Sequence, residues 1–251
     1  MTGLLDAVLE AHGGLGRWRR FTTVEATIVS GGKLWDIKVQ PQDPAPRRMA
    51  AALQHEWASV QPFGAPDQKT DFTPDRVAIE KLDGRVVAER IDPRESFRGH
   101  ELSTPWDPLQ RAYFNGYALW TYLTTPFLMA LPGFTVTEID PVEDPVEDPV
   151  EGFVEGKGQQ WAGLQAHFPE TFASHSPVQE FYFNHDHLLC RHNYRVDIAG
   201  GFAAIQYVSD MVQADGIMVP TKRRAYRCDA EGRVIRDELM VSIDLRDIHF
   251  A

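Results

Sequence analysis

Nine histidines and two cysteines are the side chains best equipped for chemistry in this 251-residue chain, and their spacing argues against most of it. His185, Asp186 and His187 sit together with His192 close behind, yet strand residues five apart, such as His187 and His192, point to opposite faces. A zinc or iron site would need further carboxylates or thiols at ligand spacing. Cys190 and Cys228 are too few and too far apart for that, so no metal is expected. His55-Glu56-Trp57 and His100-Glu101 each set an imidazole beside a carboxylate. On a strand, His55 and Trp57 share a face while Glu56 looks away, so a proton relay would need a partner from elsewhere. His55 and His192 are the catalytic candidates, because an imidazole projecting into a dry cavity can act as general base near neutrality. The simpler reading of either is a hydrogen-bonded structural histidine. Ser30 lacks the G-x-S-x-G turn of a hydrolase nucleophile. Gly13-Gly14-Leu15-Gly16 stands at the end of a helix, the wrong polarity for a phosphate cradle, so no nucleotide or other cofactor is expected.

Any such group must be positioned by a mainly β scaffold. From Phe181 to Phe250 the chain reads as an antiparallel meander: Asn184-His185-Asp186, Gly200-Gly201 and Asp215-Gly216 punctuate runs of alternating polarity, and Leu239, Val241, Ile243 and Leu245 share one face of the last strand. Near the N-terminus, Leu4, Val8 and Ala11 predict a short amphipathic helix stopped by Gly13-Gly14. Val24, Ala26 and Ile28 then predict a strand, Gly31-Gly32 a turn, and Trp35, Ile37 and Val39 one face of a returning strand over Lys33 to Gln40. A further strand is expected over Arg47 to Trp57, and a hairpin over Val77 to Ile91 around Asp83-Gly84.

A helical insertion interrupts the β pattern at about 104–131. Asp107 suits the N-cap, Pro108 the first turn, and Leu109, Tyr113, Tyr117 and Trp120 recur on one face. Pro126 to Leu131 reads as a second short helical piece. The acidic Pro-Val-Glu-Asp repeat at 141–151 excludes a helix interior and a central strand, and predicts an extended loop over about 140–158.

Composition narrows the partners. With 36 acidic against 25 basic residues the formal net charge is −11, a field that disfavours nucleic acid and anionic membrane surfaces. The clusters Arg17-Trp18-Arg19-Arg20 and Lys222-Arg223-Arg224 are expected on solvated faces. Met1 to Ala11 lacks the basic and apolar regions of a signal peptide, and the two cysteines fit a reducing compartment, so a cytoplasmic location is expected. No run approaches the length of a membrane span. No linker divides the chain, and one domain over 1–251 is expected, as a monomer or a homodimer.

The order of helix, long antiparallel strands, helical insertion and meander resembles the LolA-like lipoprotein-carrier superfamily, more closely its cytoplasmic-looking bacterial homologues of unassigned function. The C-terminal pattern resembles it most: Phe181-Tyr182-Phe183, Asp186, Leu188-Leu189, Tyr194 to Asp197, Gly200-Gly201, Tyr207-Val208-Ser209 and Asp215 to Pro220. The resemblance implies a curved antiparallel half-barrel wrapped around an inserted helical plug, an α+β fold with a hydrophobic cavity between sheet and helices. The function it points to is binding or carrying a hydrophobic or amphipathic small molecule, lipid-like or secondary-metabolite-like, with Trp35, Trp57, Tyr113, Tyr117, Trp120 and Phe127 as cavity wall. An enzyme of the same fold using general acid/base chemistry on such a metabolite, and a protein-interaction module, remain as alternatives.

Overall fold

A computed structural model describes residues 3–143 and 160–251. Two short helices, α1 (Gly3–Ala11) and α2 (Leu15–Trp18), lead into β1 (Thr23–Gly31), whose burial alternates strictly and turns Val24, Ala26 and Ile28 inward as their spacing predicts. After the short helix α3 (Lys33–Ile37) come β2 (Asp43–Ala52), β3 (Ala58–Gln61), β4 (Gln68–Thr73), β5 (Arg76–Lys81) and β6 (Val86–Ile91). The long helix α4 (Pro108–Thr124) and a 3-10 turn at Phe127–Ala130 follow. The chain closes with β7 (Thr135–Glu143), β8 (Gln160–His167), β9 (Val178–Phe183), β10 (Leu189–Val196), β11 (Phe202–Ala214), β12 (Ile217–Cys228) and β13 (Val234–Phe250).

These thirteen strands form one antiparallel sheet in the order β6-β5-β4-β3-β2-β1-β13-β12-β11-β10-β9-β8-β7. Every neighbouring pair except β1–β13 is consecutive in sequence, so two meanders are joined where the first strand meets the last. The sheet must curl, and α4 shows by how much. On this helix Gly116 abuts Phe72 of β4, and only six residues further on Tyr122 bonds to Tyr194 of β10. Laid flat, β4 and β10 would be seven strand spacings apart, roughly 34 Å at about 4.8 Å each, whereas six helical residues rise roughly 9 Å. The sheet therefore wraps the helix as a half-barrel, with β6 and β7 as its open edges.

Helix α4 begins as its residue types require. The Asp107 side chain accepts from the Gln110 backbone N–H at 2.8 Å, and the Gln110 side chain accepts from the Asp107 N–H at 2.9 Å, a reciprocal cap with Pro108 in the first turn. Beyond it every residue from Gln110 to Thr124 is buried, so the aromatic stripe is part of a helix enclosed on all sides. Gly116 belongs to that fit: a Cβ there would lie 2.1 Å from Cγ of Phe72.

Three expectations about local structure are corrected. Lys33 to Gln40 is no strand. Gly32, at φ 118°, turns the chain so that a Cβ would meet the Met240 carbonyl at 2.3 Å. The next residues then form the single turn α3, which buries Leu34 and Trp35 and leaves Val39 exposed. A short apolar run fits either period, and here the helical one wins. The partner of β1 is β2, which starts four residues before the expected Arg47 and ends at Ala52. Lastly, Arg223 faces inward with Ala225 and is fully buried, while Lys222 and Arg224 pair outside with Asp210 and Asp244. Of the Pro-Val-Glu-Asp repeat, Pro141, Val142 and Glu143 end the edge strand β7, where a proline interrupts no central ladder. The remainder, and with it the expected loop, lies outside the described residues.

Candidate functional site

Two groups of polar side chains stand inside the half-barrel. The first surrounds the C-terminal half of α4. His175, from the loop between β8 and β9, lies between two tyrosines of the helix: Nδ1 is 3.2 Å from the Tyr117 hydroxyl and Nε2 is 2.8 Å from that of Tyr122. Tyr122 also reaches the Tyr194 hydroxyl of β10 at 3.1 Å, and the Tyr194 ring stacks on His175 at 4.0 Å. Two residues earlier on the same face, His192 bonds Gln179 of β9 at 2.7 Å and stacks on Phe181. Arg223 donates to the Gln206 side chain and to the Tyr122 carbonyl.

Burial sets the charge state of this network. It drives the pKa of His175 down to about 3, with Arg94 adding in the same direction, and it holds His192 well below the usual histidine range, with His175 and Arg223 adding. Tyr117, Tyr122 and Tyr194 are pushed up by the same loss of water. The network is therefore neutral near pH 7 apart from Arg223, and its histidines and tyrosines are paired with one another. That is the chemistry of a rigid interior, in which unpaired polar groups are expensive and here include Gln206 Nε2 and Arg223 Nε.

Glu56 is less well served. Its Oε2 accepts from the Ala173 N–H at 2.8 Å, Oε1 has no partner, and burial raises its pKa well above the carboxylate norm. A folded pKa above the unfolded one gives stability that is present below pH 4.5 and lost as pH rises through the folded value. Glu56→Gln keeps the acceptor and cannot ionise, so it is expected to raise the urea midpoint at pH 8 and not at pH 4. An equal shift at both would show that the proton is not the cause.

The second group lies at the N-terminal end of α4. Because β3 stops at Gln61, the first half of β2 has no neighbour on that side, which also accommodates Pro44 and Pro46. The free edge, the turn after Gln61 and the start of α4 enclose a cleft of about 380 Å³. Pro41, Ala45, Pro62, Phe63, Pro66 and Pro108 supply apolar wall; Arg47 and Arg111 line it too. Arg47 Nη2 donates to Ser30 Oγ at 2.7 Å and Nη1 lies 2.9 Å from Asp43 Oδ2. Arg111 donates to the Pro41 carbonyl at 2.7 Å and to the same Asp43 oxygen at 3.0 Å, and its guanidinium sits 4.5 Å over the Trp35 ring. Burial lowers both arginine pKa values, that of Arg111 to about 10. Behind Arg47 a void of about 20 Å³ continues between Trp35, Phe114, Tyr122 and Ile243, room for a single water.

The expected site residues are dispersed. Trp35 borders the void. Tyr113, Tyr117, Trp120 and Phe127 are fully buried core: Tyr113 packs edge-on against Phe72, Trp120 donates to the carbonyls of Ala52 and His55, and Phe127 stacks on Trp18 at 4.3 Å. Trp57 is half-buried and donates to Asp71 at 2.8 Å. His55 and Glu56 stand opposite to expectation, because residues 53–56 are a bend between strands: His55 is exposed and Glu56 enclosed. His192 faces inward, but into packed side chains. His185 pairs with Asp186 on the surface, and among the described residues no three His, Cys, Asp or Glu side chains gather as a metal set.

Sequence reasoning passed over Asp43, Arg47 and Arg111. Their signal was present: Arg47 keeps phase with the buried Met49 and Ala51, and Arg111 interrupts a helix that is otherwise largely apolar or aromatic.

No family model matches the chain, and no curated protein matches it in sequence. Among solved structures, a DUF1329 family protein from Desulfovibrio piger superposes with a TM-score of 0.51 at 10% identity, over 98% of this chain and 91% of that one. A LolA superfamily protein from Nitrosomonas europaea gives a TM-score of 0.47 at 12% identity, over 96% and 91%. At such identity the first likeness is one of fold. The open antiparallel meander wrapped on an inserted helix is the curved half-barrel architecture that the sequence led us to expect. Among the described residues no helix is long and apolar enough to cross a membrane.

Proposed function

We propose that the protein binds or carries an amphipathic small molecule, seated in the cleft between the free edge of β2 and the start of α4. The observation that carries this reading is the cleft itself: about 380 Å³, walled by prolines and Phe63, with polar groups converging at its floor. That size and lining suit a small ligand that buries most of its surface, with a few fixed polar groups setting its orientation. Trp35 would form the back wall through Arg111; the other expected wall residues would act as the rigid core behind it. Binding is favoured over turnover because the one carboxylate in the cleft, Asp43, is engaged by both arginines and is not free to act as a base.

Purified protein incubated with a mixed lipid and fatty-acid extract, then analysed by native mass spectrometry, is expected to retain a discrete added mass. Ala65→Trp, which fills the cleft from its half-buried rim, is expected to abolish that mass while leaving the melting temperature close to that of the unsubstituted chain. Retention of the same mass by the filled variant would place the ligand elsewhere and end this reading.

A further inference from the structure

We propose that the cleft takes its ligand by a carboxylate held between Arg47 and Arg111, with the apolar body of the same molecule lying along Pro62, Phe63 and Pro66. This rests on the binding reading above and names the ligand class. Its first support is charge. Two guanidiniums face one carboxylate, leaving a net charge of +1, and the arginine side chains are only 4% and 3% exposed against 35% for Asp43. A buried cation without its own counter-ion is costly, and a bound anion removes that cost.

The second support is hydrogen bonding. Arg47 Nε and Nη1 and Arg111 Nε are buried without a hydrogen-bond partner, the Arg47 Nη1 contact with Asp43 being an ion pair outside hydrogen-bond geometry. The other three nitrogens each donate once, to Ser30, the Pro41 carbonyl and Asp43, which orients both guanidiniums. A carboxylate offers two oxygens and about four lone-pair directions, so one seated where Arg47 and Arg111 border the cleft can accept from both guanidiniums after a small turn of either side chain. A planar guanidinium suits such an acceptor better than a point charge would. The net charge selects the valence: a monoanion neutralises the floor of the cleft, whereas a phosphate dianion would leave a buried negative charge in a molecule already strongly acidic.

The third support is the wall. A free small anion needs no apolar surface, yet the cleft is lined mainly by proline, alanine and phenylalanine side chains. Charge at the floor and carbon along the side fit a molecule with both parts, such as a medium-chain acid.

Calorimetric titration of the full chain with octanoate, 1-octanol, acetate and inorganic phosphate separates the contributions. Octanoate is expected to bind at least about tenfold more tightly than any of the other three, a difference of about 1.4 kcal/mol. Added salt should weaken octanoate and leave octanol unchanged. Arg47→Gln should erase the advantage of octanoate over octanol while octanol still binds, and Arg47→Lys should restore part of it. Because Arg47→Gln removes a buried group, the salt dependence of the unsubstituted protein provides a test that needs no variant. Octanol binding as tightly as octanoate would overturn the carboxylate assignment and leave the binding reading standing. Acetate or phosphate matching octanoate would make this a site for free anions and overturn the assignment. Failure of octanoate and octanol alike would remove both.

Discussion

Gly116→Ala is expected to destabilise the protein by about 1–3 kcal/mol, although alanine is the better helix former by about 1 kcal/mol. The reason lies across the interface. A Cβ at position 116 would stand 2.1 Å from Cγ and 2.6 Å from Cβ of Phe72, close to the β4 backbone, and Phe72 is completely buried against Tyr113. Neither partner can withdraw without moving a strand or a helix. Phe72→Ala alone should cost about 3–5 kcal/mol, because it empties the space between them. Together the two changes should reverse the sign at position 116: once the ring is gone the added methyl fills part of the cavity, and helix propensity makes Gly116→Ala stabilising by up to about 1 kcal/mol. A double-mutant cycle by urea denaturation measures this coupling. Additive effects would mean that α4 and β4 do not meet as described, and the enclosure of the helix by the sheet would be in question.

That enclosure explains which parts of the molecule were legible in the sequence. The C-terminal meander was readable because its turns carry their own chemistry: Asp215 and Gly216 both take positive φ, as an Asp-Gly hairpin turn demands. The start of α4 was equally readable, since Asp107, Pro108 and Gln110 complete a cap among themselves. What could not be read locally was which side of a strand would face the plug. Alternation assigns Arg47 and Arg223 to a phase, but only the curl of the sheet around α4 turns that phase inward. The same curl makes Tyr113, Tyr117 and Trp120 core, since an all-round enclosed helix has no face left to line a cavity. Space appears instead where pairing fails, beside the half of β2 that β3 does not reach. Strand ends are the least legible feature of a β pattern, and here one strand end creates the cleft.

Acid is expected to unfold the protein well above the pH at which its carboxylates are protonated, because three histidines are buried in neutral form. His12, in the turn that ends α1, bonds the Val8 carbonyl at 2.8 Å and receives the Leu189 N–H, and burial holds its pKa at about 4. His175 lies at about 3, and His192 is displaced in the same direction. A histidine whose folded pKa is depressed contributes stability that is present above its unfolded value of about 6.5 and is lost as pH falls towards the folded value, since the unfolded chain takes the proton first. Between pH 6.5 and 4 each such group removes about 1.4 kcal/mol per pH unit. At pH 5, His12 and His175 together remove about 4 kcal/mol, a large share of the 5–15 kcal/mol typical of a folded domain, and His192 adds to the loss. Glu56, whose pKa is raised, works the other way and offsets part of it. The carboxylates with depressed pKa values, Asp67, Asp107, Asp215 and Asp229, act only below about pH 4, so the window above belongs to the histidines. Unfolding free energies from urea titrations at pH 7, 6 and 5 should fall with a slope approaching two protons at the acid end, the three taken up by the histidines of the unfolded chain less the one that folded Glu56 already holds. His175→Asn should be less stable at pH 7, through loss of its tyrosine partners, and should show a slope smaller by one proton. A slope unchanged by that substitution would mean that His175 accepts a proton in the folded state, and the neutral network around α4 would have to be abandoned.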